Sequence, residues 1–271
     1  MMSDPYRTAL RYALREQTRN RLAIGLLVIF VPLWYFLLGT IIPAVPLPFR
    51  FRATGAFIQV NGQDLTFLTA GFNALTLIIG FMFFASTRSG ARFDHRLVLS
   101  GYSRPVLILA KLSALVVAAA SIALYASLVL LVFWRPESFA LVWLGYFGAA
   151  LIYGGLGLLL GVLVSSELAG FFFIIMLSLM DTFFQNPYGN PAANKPFLAW
   201  FPSYGPVQLA VAGGFTHVFP TREMLVSLAW FAGFALLGLA IFWRRTRAWN
   251  THGRASVSTA SPAAAEAPSS M

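Results

Sequence analysis

Apolar residues gather in long runs along the chain, separated by short polar or basic segments. Six runs approach or exceed the twenty or so residues that a helix needs to cross a bilayer. They are Leu22–Ile42, Leu65–Ser86, Val106–Trp134, Phe139–Val164, Leu168–Phe184 and Met224–Trp243. The pattern predicts an all-α polytopic membrane protein with six transmembrane helices.

Composition supports lipid as the solvent of most of this chain. Hydrophobic residues make up 58% of the 271 residues and charged residues only 10%, against roughly 25% charged residues in soluble domains. The chain contains no cysteine, which excludes disulfides, thiolate chemistry and cysteine metal sites. The formal net charge of +10 does not by itself indicate nucleic acid, and no nucleic-acid partner is expected.

Basic residues flank the six runs unequally, and this predicts the orientation of the chain. Fourteen lie before the first run, between the second and third, or after the sixth, whereas five lie in the other connections. Both termini and the connection between runs two and three are therefore expected in the cytoplasm. The expected location is a bacterial cell membrane, with residues 250–271 as a disordered tail of Ala, Ser, Thr and Pro.

The first 21 residues predict a helix that lies along the cytoplasmic membrane surface. From Asp4 to Asn20, apolar side chains and Gln17 fall near one side of a helix, and arginines recur every four residues on another. These arginines are Arg7, Arg11, Arg15 and Arg19. They would face anionic lipid headgroups, and the helix is either a simple anchor or a mechanical element.

A basic, half-apolar segment, STRSGARFDHRLVLSGYSRP, follows the second run. Arg92 and Arg96 are four residues apart, so they repel on a helix, and Phe93 and Leu97 form an apolar stripe beside them. Gly101 can end the helix in a left-handed cap. The segment predicts a short helix at about 88–101 with sharp ends. It is either a basic loop on lipid headgroups or a docking helix for a cytoplasmic protein.

This order of parts resembles that of ABC-2 type ABC transporter permease subunits, over roughly Asp4–Trp249. The stretch FDHRLVLSGYSRPVLILAKL is similar to the family's pattern, in which a charged helix leads through a Gly to a basic residue that opens span three. The resemblance implies a coupling helix that docks on a separate P-loop ATPase subunit. Carried over, the predicted docking residues are Arg92, Phe93, Asp94, Arg96, Leu97 and Gly101, with Arg88, Tyr102 and Arg104 flanking them.

The resemblance also implies short re-entrant helices between spans five and six, at about 186–220. That segment is punctuated by Pro and Gly yet is aromatic and apolar, which favours the re-entrant interpretation over an ordinary outer loop. Asp181 is the only acid well inside a candidate span, and it is expected near the outer interface. Helix-end solvation or an outer gate is favoured over a proton relay. The candidate gate residues are Asp181, Phe201 and Tyr204.

Several motifs are missing from the sequence. Neither lysine follows a glycine, so the chain lacks the P-loop that cradles ATP phosphates, and neither HExxH nor GxSxG occurs. The three histidines are widely separated, and no metal site or catalytic residue is expected. In span four, Gly154, Gly157 and Gly161 predict a close helix contact.

The sequence therefore predicts the permease subunit of an ABC exporter, with no cofactor of its own and ATP bound by the partner subunit. Two permease copies, identical or similar, would form a pathway with aromatic and apolar walls from spans one, two and five. Such walls suit an amphipathic or hydrophobic cargo, such as a drug, an antibiotic or a lipid-linked compound. The alternative is a non-transporting scaffold or channel-like protein whose basic loop binds only lipid. A membrane enzyme would need a reactive site that the sequence lacks.

Overall fold

The structure is a computed structural model. It describes residues 3–51, 53–187, 190, 193, 195–216 and 218–258. Side chains are described in all of these except residues 3–4 and 242–258. The chain is mostly helical. In order, the elements are α1 (Ser3–Arg19), α2 (Arg21–Ile41), β1 (Pro46–Arg50), β2 (Phe57–Asn61), α3 (Gly62–Leu99), α4 (Arg104–Phe133), α5 (Phe139–Leu163), α6 (Glu167–Gln185), the 3-10 helix Pro196–Trp200, α7 (Tyr204–Phe215) and α8 (Thr221–Ser258).

Six helices of the described chain are long and apolar enough to cross a membrane: α2, α3, α4, α5, α6 and the Thr221–Ile241 part of α8. These six correspond to the six predicted runs, and the molecule is a multi-pass membrane protein. Helix α3 is central, since 89% of its apolar window is buried, whereas only 6% of the window in α8 is buried. The peripheral helices α2, α6 and α8 expose large apolar side chains, as helices that face lipid do.

Glycines let α5 approach α3 closely, as the sequence predicts. A Cβ built on Gly157 would lie 2.4 Å from the carbonyl oxygen of Gly80, and one on Gly161 would lie 2.6 Å from Cβ of Thr87. Both distances are shorter than real Cβ contacts allow. Gly154 meets α4 instead, 2.2 Å from Cδ1 of Leu115. In lipid such close packing is a main source of helix association.

A β-hairpin joins α2 to α3, and the sequence analysis does not predict it. Strands β1 and β2 pair antiparallel, with Leu47 opposite Val60 and Phe49 opposite Ile58. Phe49 and Val60 are buried, and alternate residues point outward. The turn contains Gly55 at a φ of 71°, a left-handed conformation that glycine adopts without strain. The alternation of PLPFR and FIQVN was the available signal, but the two prolines obscured it.

Helix α3 is continuous from Gly62 to Leu99, which differs from the predicted separate helix at 88–101. The predicted C-terminal boundary agrees with the structure, but no break occurs near residue 87. A lone internal glycine, Gly90, costs a helix only about 1 kcal/mol, and no proline interrupts the segment. At 1.5 Å per residue α3 is ~57 Å long, well beyond the roughly 30 Å of the hydrocarbon layer.

The chain after span six also differs from the sequence-based expectation. Helix α8 continues to Ser258, so residues 250–258, predicted to be disordered, are helical. No proline stops the helix before Pro262. The rest of the predicted tail, 259–271, lies outside the described residues.

Candidate functional site

The C-terminal end of α3, together with the turn that follows it, is the first candidate site. We call residues 88–101 the basic extension. It ends at Gly101, whose φ of 89° is left-handed, as predicted. The amide of Tyr102 donates to the Leu97 carbonyl at 2.9 Å, and the amide of Gly101 donates to the Val98 carbonyl at 3.1 Å. These two bonds form a Schellman cap, which fixes the direction in which the chain leaves the helix.

The predicted docking residues divide by exposure. Arg92, Phe93, Arg96 and Gly101 are exposed, with Phe93 58% exposed. The half-buried members are Leu97, Tyr102 and Arg104. The exposed ring of Phe93 lies between Arg92 and Arg96 along the helix. The basic extension thus presents one mixed basic and aromatic face.

Asp94 is a predicted docking residue that the structure turns inward. It is only 9% exposed, and its Oδ2 accepts a hydrogen bond from Nζ of Lys111 on α4. An acid buried at the end of a membrane bundle needs such a partner, because an isolated charge there is costly. In this structure Asp94 joins α3 to α4 and does not lie on the exposed face.

Arg88 also makes contacts within the chain. Its Nη1 donates to the carbonyl of Val164, and its Nε lies 3.8 Å from Oε1 of Glu167. The guanidinium carbon lies 5.8 Å from the ring centroid of Phe84. Arg88 therefore joins the basic extension to the turn between α5 and α6, where Glu167 is largely exposed and contributes little stability.

Helix α1 packs across both sides of the turn between α3 and α4. The hydroxyl of Tyr6 donates to Oγ of Ser113 at 2.8 Å, and Nε2 of Gln17 donates to Oγ of Ser86 at 3.0 Å. The Tyr102 hydroxyl donates to the carbonyl of Pro5. The side that faces the bundle is the apolar side predicted from the sequence, and all four predicted arginines, Arg7, Arg11, Arg15 and Arg19, are exposed. Helix α1 is therefore joined to α3 just before the basic extension and to the turn that follows it.

The second candidate site surrounds Asp181, at the opposite end of α3. Asp181 is fully buried, so the expectation of helix-end solvation is wrong. Its Oδ2 accepts from the Tyr153 hydroxyl at 2.8 Å and from the amide of Ser203 at 2.9 Å, while Oδ1 accepts from Nε2 of Gln185 at 2.6 Å. The buried carboxyl group is tolerated because three donors form hydrogen bonds with it. Asp181 thereby ties α5, α6 and the start of α7 together.

The other two candidate gate residues lie at the start of α7, on either side of Ser203, whose amide bonds to Asp181. The ring of Phe201 contacts that of Phe184 edge to face, with centroids 5.9 Å apart. Tyr204 is 6% exposed, and it opens α7, whose residues from Tyr204 to Gly214 are all buried. Helix α7 packs against α5, α8 and α3. This helix is buried within protein, the condition that the predicted re-entrant segment requires; five residues of 186–194 and His217 lie outside the described residues.

A stripe of buried polar side chains, which we call the polar seam, joins α3 to α6. Nδ2 of Asn73 donates to Oγ1 of Thr182 at 3.1 Å, and the hydroxyls of Thr76 and Ser178 lie 2.6 Å apart. Near the same end, Nδ2 of Asn186 donates to Oγ1 of Thr69 at 3.0 Å.

The seam bears on the predicted pathway walls. They are predicted to be aromatic and apolar, and this stays a prediction. The contact between spans two and five is mixed: hydroxyl and amide groups line the part near Asn186, whereas Phe81 and Phe84 pack against Phe171 nearer the basic extension. The signal was present in the sequence as Thr66, Thr69, Asn73 and Thr76, three or four residues apart.

Among the described residues, no group of three or more His, Asp or Glu side chains could hold a metal ion. The comparisons with known proteins are equally negative: no family model matches the sequence, and no curated protein matches it.

Proposed function

We propose that this chain is the membrane-spanning subunit of an ATP-driven exporter of the ABC-2 type, energised by a separate P-loop ATPase. The observation that carries the proposal is the basic extension of α3. It continues a central, buried span beyond the hydrocarbon layer, and it presents Arg92, Phe93 and Arg96 at an exposed surface. A partner that binds this surface is connected to the bundle by a continuous helix.

The connections of the basic extension supply a mechanical rationale. It is joined to α4 through Asp94 and Lys111, to the α5–α6 turn through Arg88, and to α1 through Ser89, whose hydroxyl donates to Oε1 of Glu16 at 3.4 Å. A displacement imposed on the extension therefore moves several helices together rather than bending one loop. ATP-driven closure of two ATPase subunits would pull two such extensions together and tilt the spans.

In this proposal the basic end faces the cytoplasm of a cell membrane, in accordance with the placement of Lys and Arg. A second permease copy, identical or similar, packs against the exposed apolar faces and completes the pathway. The cargo is amphipathic or hydrophobic. The alternative is a scaffold or channel-like protein whose basic surface binds lipid.

The test is co-purification from the native host in mild detergent. We expect wild type to retain a P-loop ATPase and Arg92→Glu/Arg96→Glu to lose it. Arg7→Glu/Arg11→Glu is the matched control, since it makes the same charge change on exposed residues of α1. Loss in the first variant alone supports docking on α3.

Two outcomes contradict the proposal. If a well-expressed wild type retains no ATPase, the exporter assignment fails. If both double variants lose the partner equally, the interaction depends on total charge and not on the basic extension.

A further inference from the structure

A groove of about 190 Å³ opens at the basic end of the bundle, between α4 and α8. Its floor is formed by the basic extension and the end of α5. Residues that line it include Thr87, Asp94, Lys111, Leu158, Phe234 and Gly238. Most of the wall is apolar, and the polar side chains that line it are Thr87, Asp94, His95 and Lys111.

The two helices that flank the groove present apolar side chains outward beside it. Leu109 on α4 is 56% exposed, and Leu236 and Leu237 on α8 are also exposed. The groove is therefore continuous with surface that faces hydrocarbon in a multi-pass membrane protein. A molecule in the surrounding bilayer can enter the groove laterally. Because the wall is mostly apolar, the part of such a molecule that packs there is an apolar chain.

The ion pair can be placed relative to the hydrocarbon layer by counting residues along α4. Lys111 lies 22 residues before Phe133, the last residue of α4, which is ~33 Å along that helix. The hydrocarbon layer is only about 30 Å thick, whereas Leu158 and Phe234 belong to the spans themselves. The groove thus runs from an ion pair at headgroup depth to an apolar wall deeper in the membrane.

The polar end offers both signs of charge. Lys111 donates to Oδ2 of Asp94, and both side chains retain some exposure, 26% for Lys111 and 12% for Asp94. A zwitterionic head that carries an ammonium and a phosphate matches this pair in both signs, whereas an anionic head matches only Lys111.

We propose that this groove is a binding site for a zwitterionic phospholipid with an amine head, taken from the surrounding membrane. One acyl chain lies between α4 and α8, the ammonium binds Asp94 and the phosphate binds Lys111. The bound lipid fills the space beside the basic extension and becomes part of the joint between α3 and α4. The site depends only on the membrane character of the chain and is independent of transport.

The experiment uses the full chain in nanodiscs that contain phosphatidylethanolamine with a diazirine on one acyl chain. After illumination, labelled peptides are mapped by mass spectrometry. Gly238→Leu fills the groove, and a Cβ at Gly238 meets only ordinary contacts, at 3.8 Å or more. Gly233→Leu is the matched control on the same helix, because a Cβ there meets no atom within 4 Å and the residue does not line the groove.

We expect the peptides around Leu158 and Ala235 to be labelled in wild type and in Gly233→Leu, and at least fivefold less in Gly238→Leu. Unlabelled phosphatidylethanolamine should compete at least threefold better than phosphatidylglycerol. Ala235→Phe fills the same groove and replaces Gly238→Leu if that variant misfolds.

Three results would overturn the proposal. They are equal labelling in Gly238→Leu and Gly233→Leu, absence of groove labelling in wild type, and competition by phosphatidylglycerol as strong as that by phosphatidylethanolamine. Displacement of the label by a hydrophobic drug but not by phosphatidylethanolamine would assign the groove to cargo and would equally reject a lipid site.

Discussion

The two ends of α3 satisfy their polar groups in different ways. At the N-terminal end, Thr69, Asn73 and Thr76 bond to α6 inside the bundle. At the C-terminal end, the ion pair of Asp94 and Lys111 is an internal contact, but Arg92 and Arg96 are exposed. One end is a closed network that stabilises the fold, and the other leaves donors for lipid or a protein partner. Variants of the buried polar residues therefore test the stability of the fold, and variants of the exposed arginines test the proposed docking.

The largest effect on stability is expected at Asp181. Asp181→Ala leaves the buried Ser203 amide without its carboxylate acceptor. It also removes one bond from the Tyr153 hydroxyl, which keeps the Leu177 carbonyl, and one from Nε2 of Gln185, which keeps Oγ of Ser203. The change should cost about 3 kcal/mol of unfolding free energy. The measurement is SDS-induced unfolding in mixed micelles, followed by tryptophan fluorescence. Asp181→Asn keeps an acceptor oxygen and should lose clearly less. An alanine variant within 1 kcal/mol of wild type would show that the network is dispensable.

A smaller loss is expected when the ion pair at the other end is broken. Lys111→Met leaves the Asp94 carboxylate buried without its cation, and we expect a loss of about 2 kcal/mol in the same assay, less than for a fully enclosed pair. The double variant Asp94→Leu/Lys111→Met removes both charges and should recover most of this loss. If the double variant is as unstable as the single one, packing of the lysine stem rather than its charge is responsible.

The polar seam should contribute less per bond. Thr76→Val removes the hydroxyl that lies beside Oγ of Ser178, and we expect a loss of about 1 kcal/mol, since single hydrogen bonds between membrane helices are weak. Thr40→Val is the control, because the Thr40 hydroxyl is exposed and bonds only to the carbonyl of Leu37. Equal losses in the two variants would mean that the seam adds no stability beyond that of an ordinary threonine.

The smallest effect on stability is expected where binding should suffer most. Arg92→Glu/Arg96→Glu changes two exposed side chains, so the unfolding free energy should stay within about 0.5 kcal/mol of wild type. The same protein should fail to retain the ATPase in the co-purification assay. A loss of more than 1 kcal/mol of unfolding free energy would show that these arginines stabilise the fold. The two ends of α3 would then not differ in the way described.

Features that depend on local pattern could be predicted from the sequence alone. Run length and hydrophobicity identified six spans, and Gly101 marked the end of the basic extension, because only glycine adopts that φ easily. The four-residue spacing of Arg7 and Arg11 placed them on the exposed side of α1. The glycines of span four predicted a close helix contact, but not that α3 is the partner.

The pairing of polar groups, by contrast, depends on how the helices pack. The sequence grouped Asp94 with its exposed neighbours. In the structure it pairs with Lys111, seventeen residues away on another helix. Thr76 and Ser178, or Asp181 and Ser203, meet because three helices converge there. A short-range pattern gives the direction of a side chain around its own helix, but its partner depends on how helices pack, and that is settled by shape and hydrogen bonding over the whole bundle.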